Sequence, residues 1–138
     1  MNRQTPMFVQ FSELLAVEDR AYAIGELAER FGITLRTIRF YEQCGLLTAE
    51  RASSRTRFFS SADVARLGFI VGCRNLGMTV KTVAALLAFR DTRGDTAFRR
   101  ELRRALAAHV ATLEAARDDI DAQKAATVDW IDQIEGDA

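Results

Sequence analysis

The 138-residue sequence contains very little proline and cysteine: one proline and two cysteines, Cys44 and Cys73. The two cysteines lie far apart and form no Cys-x-x-Cys or Cys/His cluster, so we interpret both as reduced thiols. No apolar run approaches about 18 residues, which predicts that no transmembrane helix is present. The N-terminus also lacks the layout of a signal peptide, because Gln10, Ser12 and Glu13 interrupt its apolar residues. We therefore expect a cytoplasmic protein without a membrane partner.

Residue combinations typical of enzymes and metal proteins are missing as well. There is no Gly-rich phosphate loop, no nucleophile with a histidine partner and no HExxH motif. The single histidine, His109, has no cysteine nearby, which argues against a metal site. The sequence thus predicts a protein that is not an enzyme, with no cofactor and no bound metal. A minor redox role for Cys44 or Cys73 stays open beside the simpler interpretation of both as packing residues.

The chain also lacks net charge, because 19 basic residues balance 19 acidic ones. The balance is uneven along the sequence: residues 21–91 carry +4 and residues 92–138 carry −3. The basic excess is concentrated between positions 30 and 57, at Arg30, Arg36, Arg39, Arg51, Arg55 and Arg57. Phosphate binding depends on this local basic density and not on the sum over the whole chain, so nucleic acid remains a possible partner.

Two short helices are predicted, the first just before the basic segment and the second within it. Ile24, Leu27, Ala28 and Phe31 have the spacing of one apolar helix face, and Gly32 follows them as a stop signal. Thr34 is a good N-cap for a second helix that ends at Gly45, with Leu35, Ile38 and Tyr41 on its inner side. Two short helices joined by about three residues that include glycine are typical of a helix-turn-helix.

Further elements are expected after the second helix. The polar stretch TAERASSRTRFFS breaks the helical period and ends in Phe58-Phe59, which predicts a small hairpin, or wing. Ser60 or Ser61 would cap a third helix, and Thr79 a fourth. The expected inward residues of these two helices are Val64, Leu67, Ile70, Val71, Val80, Val83, Leu86 and Leu87. Gly94 separates this block from the rest.

The C-terminal third of the chain has the pattern of one long helix. From Asp95 to about Ile134 there is no proline or glycine, and apolar residues alternate four and three positions apart. The resulting heptad seam, which includes polar positions, consists of Leu102, Leu106, His109, Leu113, Ala116, Ile120, Gln123, Thr127, Trp130 and Ile134. A helix of about 60 Å cannot bury such a seam on a domain of this size. We expect a second copy of the chain, arranged as an antiparallel coiled coil, with Leu102, Leu106, Leu113 and Ile120 exposed in a monomer.

The outer face of the second helix is the main candidate for DNA binding. It presents Arg36 and Arg39 with Phe40 beside them. Arginine can form paired hydrogen bonds with guanine or bind phosphate, and the ring can pack on a sugar or a thymine methyl. The alternative is a solvated basic face on an ordinary helix. Arg66 has two interpretations of similar weight, a DNA contact or a salt bridge with Asp63.

The order of these motifs resembles the MerR family of bacterial transcription regulators. The similarity covers about residues 21–134, and TIRFYE...GLL followed by RTRFFSSADVARL...LGM is its most specific part. It implies a mostly α-helical fold with a winged helix-turn-helix, and a homodimer on a pseudo-palindromic promoter. Such regulators bind in an overlong spacer between two promoter elements and distort the DNA so that RNA polymerase contacts both.

The resemblance also implies residue roles. Arg39, Phe40 and Tyr41 occupy the positions of the family's recognition-helix triplet, and Arg57 that of its wing arginine. Two departures are Phe40, where tyrosine is usual, and Arg55-Thr56, where Gly-Tyr is usual. The predicted DNA-binding residues are Arg36, Thr37, Arg39, Phe40, Tyr41, Arg55, Arg57 and Arg66; the predicted dimerisation residues are Leu102, Leu106, His109, Leu113, Ala116 and Ile120.

The expected organisation is an N-terminal extension over 1–20, a winged helix-turn-helix over 21–91, and a dimerisation helix with a short tail over 92–138. The junction RDTRGDTAF and the tail WIDQIEGDA contain no cysteine, unlike metal-sensing and iron–sulfur relatives. We therefore expect no metal, no cluster and no separate effector domain, and we assign no effector. Two alternatives are a helical protein-interaction module and an architectural DNA-binding protein.

Overall fold

The computed structural model describes residues 17–51 and 57–137, and of Arg51 and Arg57 the backbone alone. Two compact units divide between Ala88 and Phe89. In chain order the elements are β1 (Tyr22–Ala23), α1 (Ile24–Phe31), α2 (Leu35–Gln43), β2 (Glu50–Arg51), β3 (Arg57–Phe59), α3 (Ser61–Asn75) and α4 (Val80–Gly136). The predicted helix-turn-helix, hairpin and two following helices are therefore present, and the fold is mostly α-helical.

Helix starts and stops lie where the sequence predicts them. The Thr34 hydroxyl accepts from the Thr37 amide at the start of α2, and Ser60 caps α3 by accepting from the Asp63 amide at 3.2 Å. Thr79 likewise accepts from the Thr82 amide at the start of α4. Gly32, with φ +63°, ends α1 by donating its amide to carbonyls of the last turn. Short side chains and glycines thus satisfy backbone groups that a helix leaves unpaired at its ends.

The hairpin is part of a three-stranded sheet in the order β1-β3-β2. Both pairs are antiparallel, with Tyr22 opposite Phe59 and Glu50 opposite Phe58. Strand β1 was not predicted, because two residues are too short to show an alternating pattern. Its role is to bring Tyr22 beside Phe59, and both side chains are buried.

The core of the first unit comes mainly from α3 and from the first part of α4. All four inward residues predicted for α3 are buried, and so are Val83, Leu86 and Leu87 of α4, whereas Val80 is only partly covered. On α1, Leu27 is buried while the other three predicted positions are partly exposed. The periodicity therefore identified the correct faces of these helices.

Two residues just before β1, Asp19 and Arg20, make hydrogen bonds with residues of the first unit. Arg20 donates to both carboxylate oxygens of Glu26, at 2.9 and 3.3 Å, and its guanidinium lies 3.9 Å from the centre of the Tyr22 ring. The hydrogen bond from Arg20 lowers the pKa of the Glu26 carboxyl. Ser61 at the start of α3 donates to Asp19 at 3.1 Å. These contacts connect the residues just before β1 to α1 and to the start of α3.

The long helix α4 is interrupted once. Gly94 has φ +79° and ψ 176°, which is not helical and which a residue with a side chain adopts only with strain. The predicted separation at Gly94 is thus a break in helical conformation, after which the helix continues to Gly136. Within the two described ranges, no helix combines the length and apolar character that a membrane span requires.

Candidate nucleic-acid interface

Helix α2 presents one face to the core and another to solvent. Ile38 and Tyr41 lie on the inner face and are buried, with Tyr41 only 5% exposed. Arg36 and Arg39 are exposed, and the Phe40 side chain is 46% exposed. We call Arg36, Arg39 and Phe40 the recognition face. Two arginine side chains and an aromatic ring are thus exposed together on a helix whose opposite face packs into the core.

The recognition face is positively charged and available for contact. Neither Arg36 nor Arg39 has an ion-pair or hydrogen-bond partner among the residues that the structure describes. Exposure of the Phe40 ring to water is unfavourable, and a partner that covers the ring would remove this free-energy cost. The Phe40 ring leans on Tyr41 with 5.8 Å between ring centroids and a tilt of 54°, which restricts its orientation.

Two other residues predicted to bind DNA have structural contacts instead. Tyr41 was expected both to face inward and to belong to the DNA-contacting triplet, and its burial agrees with the first of these. Thr37 takes part in the cap of α2: its amide donates to the Thr34 hydroxyl at 3.0 Å, and the two hydroxyls are 2.9 Å apart. Little of the Tyr41 ring is therefore left to contact DNA directly.

Leu35 corrects the expected inner side of α2. We predicted that it faces the core, but it is 40% exposed. Leu35 is the first residue of the helix, so no preceding turn of α2 flanks it, and only the two later positions of the predicted inner side, Ile38 and Tyr41, are buried. An exposed apolar side chain thus stands near Arg39, one turn along the same helix.

The turn after α2 is held by backbone hydrogen bonds and by one arginine. Gly45, with φ +76°, donates its amide to the Glu42 carbonyl, and the Leu46 amide donates to the Tyr41 carbonyl at 2.9 Å. The Leu46 carbonyl in turn accepts from Nε of Arg66 at 2.6 Å. The sequence leaves a DNA contact and a salt bridge with Asp63 as alternatives for Arg66, and neither includes this backbone acceptor.

Asp63 has a role in the cap of α3. Its carboxylate accepts from the Ser60 hydroxyl at 2.8 Å and from the Ser60 amide at 3.3 Å. Together with the bond from the Asp63 amide to Ser60, this forms a reciprocal capping box. The cap fixes the start of α3, and therefore the helix turn from which Arg66 extends.

The predicted wing arginines can be placed only in part. Arg57 is the first residue of β3 and pairs with Arg51 of β2 through the backbone. Arg55 lies outside the described residues. The two described strands place the wing directly after the turn that follows α2, on the same unit as the recognition face.

The two cysteines differ in environment. Cys44 caps the C-terminus of α2 and is exposed, whereas Cys73 on α3 is buried. Burial raises the pKa of the Cys73 thiol to about 11. No three histidine, cysteine or acidic side chains are grouped as metal ligands within residues 17–51 and 57–137. Cys73 is therefore a packing residue, and the absence of a bound metal stays a prediction.

The predicted dimerisation residues of the second unit differ in exposure and form three groups. Leu102 was expected to be exposed in a monomer, but it is only 6% exposed and Phe98, one turn earlier on the same helix face, is also buried. Leu106 and His109 are partly exposed; Leu113, Ala116 and Ile120 are exposed, Ile120 to 62%. Apolar side chains therefore remain uncovered along the seam from Leu113 onwards, including Trp130 and Ile134.

Comparisons with known proteins agree with this geometry. Residues 22–89 match the family described as "MerR HTH family regulatory protein", and residues 64–129 match "MerR, DNA binding". A "probable heavy metal-dependent transcriptional regulator" of Haemophilus influenzae is 32% identical over 82% of this chain and 88% of its own length. The chain belongs to the MerR family of transcription regulators.

Other MerR relatives match over shorter stretches. The HTH-type transcriptional regulator HmrR of Rhizobium leguminosarum bv. viciae is 40% identical over 49% of this chain and 53% of its own length. A ZntR homologue of Haemophilus influenzae is 36% identical over 63% of this chain and 64% of its own length. The chain thus spans about half to two thirds of the length of these two curated relatives.

Solved MerR-type structures share the fold. The transcription regulator PbrR691 from Ralstonia metallidurans CH34, in complex with lead(II), has a TM-score of 0.64 at 29% identity, covering 78% of this chain and 83% of its own. HiNmlR, a MerR family regulator lacking the sensor domain and bound to promoter DNA, has a TM-score of 0.58 at 28% identity, covering 70% of this chain and 74% of its own. The likeness extends over most of the chain.

Proposed function

We propose that this MerR-family chain binds a pseudo-palindromic promoter duplex as a homodimer and controls transcription by distorting the DNA. The observation that carries the proposal is the recognition face: Arg36, Arg39 and Phe40 are exposed together, while Ile38 and Tyr41 hold the opposite side of α2 in the core. A helix-turn-helix places the second of its helices in the major groove, and α2 has that position in the motif.

The chemistry of the recognition face suits duplex DNA. A guanidinium can donate two hydrogen bonds to the major-groove edge of guanine, and it can also bind phosphate. We assign one or both of these contacts to Arg36 and Arg39. The exposed Phe40 ring would be covered by a sugar or a thymine methyl, and its lack of a hydroxyl removes one hydrogen bond to phosphate. Arg55 and Arg57 of the wing would contact phosphate or the minor groove.

Dimerisation would follow from the exposed seam of α4. Leu113, Ala116 and Ile120 lie on one stripe with Trp130 and Ile134 further along, and their exposure to water is unfavourable. A second copy in antiparallel orientation would cover them. Two recognition faces would then read two half-sites, and the length of the paired helices would set the distance between the half-sites.

We propose that the chain acts in the cytoplasm. There it would control transcription from a promoter and would not catalyse a reaction. Relatives are named transcription regulators, and the solved structure of HiNmlR holds promoter DNA. By this analogy the dimer would bend or untwist the spacer between two promoter elements, so that RNA polymerase bound nearby contacts both. The energy of deformation depends on DNA sequence, so it adds specificity at base pairs that the protein does not touch.

A selection from a random duplex library, followed by binding measurements with an Arg39→Ala variant, tests the proposal. We expect the wild-type chain to enrich a site with two related half-sites. Arg39→Ala should weaken binding to that site by about 1–3 kcal/mol per half-site while leaving the helical circular dichroism unchanged. Lys81→Ala is the matched control, because Lys81 is an exposed basic residue of the same unit outside α2.

Three outcomes separate the candidates. Equal losses for Arg39→Ala and Lys81→Ala would remove α2 as the reading helix. If no sequence is enriched, the chain is a protein-interaction module or an architectural DNA-binding protein. Tight binding to any duplex, with bending but without sequence preference, would indicate the architectural role.

A further inference from the structure

Arg66 makes a contact that neither its charge nor its position on α3 predicts. Its Nε atom donates to the carbonyl of Leu46 at 2.6 Å, across twenty residues of sequence. Arg66 lies in the second turn of α3, and its side chain is partly buried. The bond therefore connects α3 to the turn that follows α2.

Leu46 is bonded on both sides of its backbone. Its amide donates to the Tyr41 carbonyl in the last turn of α2 at 2.9 Å, and its carbonyl accepts from Arg66. The residue is only 5% exposed, so a carbonyl left without a partner here would be costly. Arg66, Leu46 and Tyr41 thus form a chain of hydrogen bonds that ends at the residue next to Phe40.

We propose that Arg66 is a positioning residue for DNA reading, which orients the C-terminal end of α2 through the Leu46 carbonyl and does not act by contacting phosphate. This inference rests on the proposed function. The Thr34 cap holds the other end of α2. Two fixed ends keep Arg39 and Phe40 in one orientation relative to the wing, and reading of base edges requires such an orientation, whereas attraction to phosphates does not.

Two substitutions separate the hydrogen bond from the charge. In glutamine the amide nitrogen follows Cδ, as Nε does in arginine, so Arg66→Gln keeps a donor at the bonded position and removes the positive charge. In lysine the corresponding atom is a carbon, so Arg66→Lys keeps the charge and removes that donor. The two variants have opposite effects under a positioning role and a phosphate-binding role.

The experiment measures the affinity of the full chain for the duplex selected by the wild type and for an unrelated duplex of equal length, as a function of salt. We expect Arg66→Lys to bind the selected duplex about 5- to 10-fold more weakly, as for one lost hydrogen bond of about 1 kcal/mol. Its affinity for the unrelated duplex and its salt slope should stay unchanged. Arg66→Gln, which keeps the donor, should bind the selected duplex more tightly than Arg66→Lys does.

Several results would overturn the inference. A phosphate contact would make Arg66→Gln weaker on both duplexes and lower its salt slope by about one ion, while Arg66→Lys binds normally. A purely structural role would lower the melting temperature of both variants and reduce binding to both duplexes in parallel, so melting curves are recorded for each. If the wild type enriches no sequence, both the proposed function and this inference fail. If the wild type enriches a site but the Arg66 variants do not bind as expected here, only this inference fails and the proposed function is unaffected.

Discussion

Individual side chains on α2 differ in role although they are neighbours in sequence. Arg39 and Phe40 are exposed, and Tyr41 directly after them is buried. A step of one residue turns a side chain by more than a quarter of the helix circumference, which is enough to move it from solvent to core. The consecutive triplet implied by the family resemblance therefore divides into two candidate contact residues and one core residue.

At this scale the two thiols should differ sharply in reactivity. Only the thiolate is alkylated, and at pH 8 a thiol with a pKa of about 11 is about one part in a thousand thiolate. We expect iodoacetamide at pH 8 to label Cys44 of the folded chain and to leave Cys73 unmodified until urea is added. The labelling rate of Cys73 should rise about tenfold per pH unit below its pKa, provided that the chain stays folded.

Mass spectrometry of the labelled peptides measures both sites at once. The control is Cys44→Ser, which removes the exposed thiol and keeps the buried one. Rapid labelling of Cys73 in the folded control would show that α3 is more accessible than the structure indicates.

At the scale of elements, α2 depends on its cap because it has only nine residues. The Thr34 hydroxyl satisfies the Thr37 amide, and such caps contribute about 1 kcal/mol. We expect Thr34→Ala to accelerate amide hydrogen exchange in α2 by about fivefold, as a loss of that size implies. Thr34→Ser keeps the oxygen and should exchange nearly as slowly as the wild type.

Hydrogen exchange of peptides that cover residues 34–43, measured by mass spectrometry, tests the expected effect of the Thr34 variants. Peptides from α3 report whether an effect is local, since its cap at Ser60 is independent of Thr34. Exchange that is equally fast in the serine and alanine variants would mean that the methyl group of Thr34, and not its hydroxyl, stabilises the helix.

At the scale of the whole molecule, the exposed seam on α4 predicts self-association. Burial of each apolar side chain contributes about 1.5–3 kcal/mol, and an antiparallel pair buries every seam position twice. Leu102 is already covered within one chain, so the free energy of dimerisation should come mainly from burial of Leu113, Ile120 and the seam residues after them. We expect sedimentation equilibrium to show a dimer at micromolar concentration.

Leu113→Asp should dissociate this dimer, because it places two carboxylates in the apolar layers. Ala115→Asp is the control, because Ala115 is exposed and does not belong to the seam. It lies between the seam positions Leu113 and Ala116 in sequence, but on the outer side of the helix. Deletion of residues 104–138 should give a monomer that has lost high-affinity binding to the selected duplex. A monomeric wild-type chain, or a truncated chain that binds as tightly as the full one, would contradict the coiled-coil interpretation.

The sequence alone was sufficient for features that depend on residues within about four positions of one another. The caps at Thr34 and Thr79 and the stop at Gly32 are of this kind and were predicted, and the cap at Ser60 was one of the two candidates, Ser60 and Ser61, that the sequence offered for α3. The buried faces of α3 and α4 follow from periodicity for the same reason. The outer face of α2 was predicted in this way too, so most of the candidate site could be derived without coordinates.

Tertiary structure decided what depends on distant partners. Pairing of Tyr22 with Phe59, burial of Leu102 and exposure of Leu35 leave no local pattern in the sequence. The clearest case is Arg66: its residue type specifies a donor, but the acceptor is a backbone carbonyl, a group that nearly every residue carries. Which carbonyl comes within reach is determined by the packing of α3 against the turn after α2, and only the folded chain specifies that.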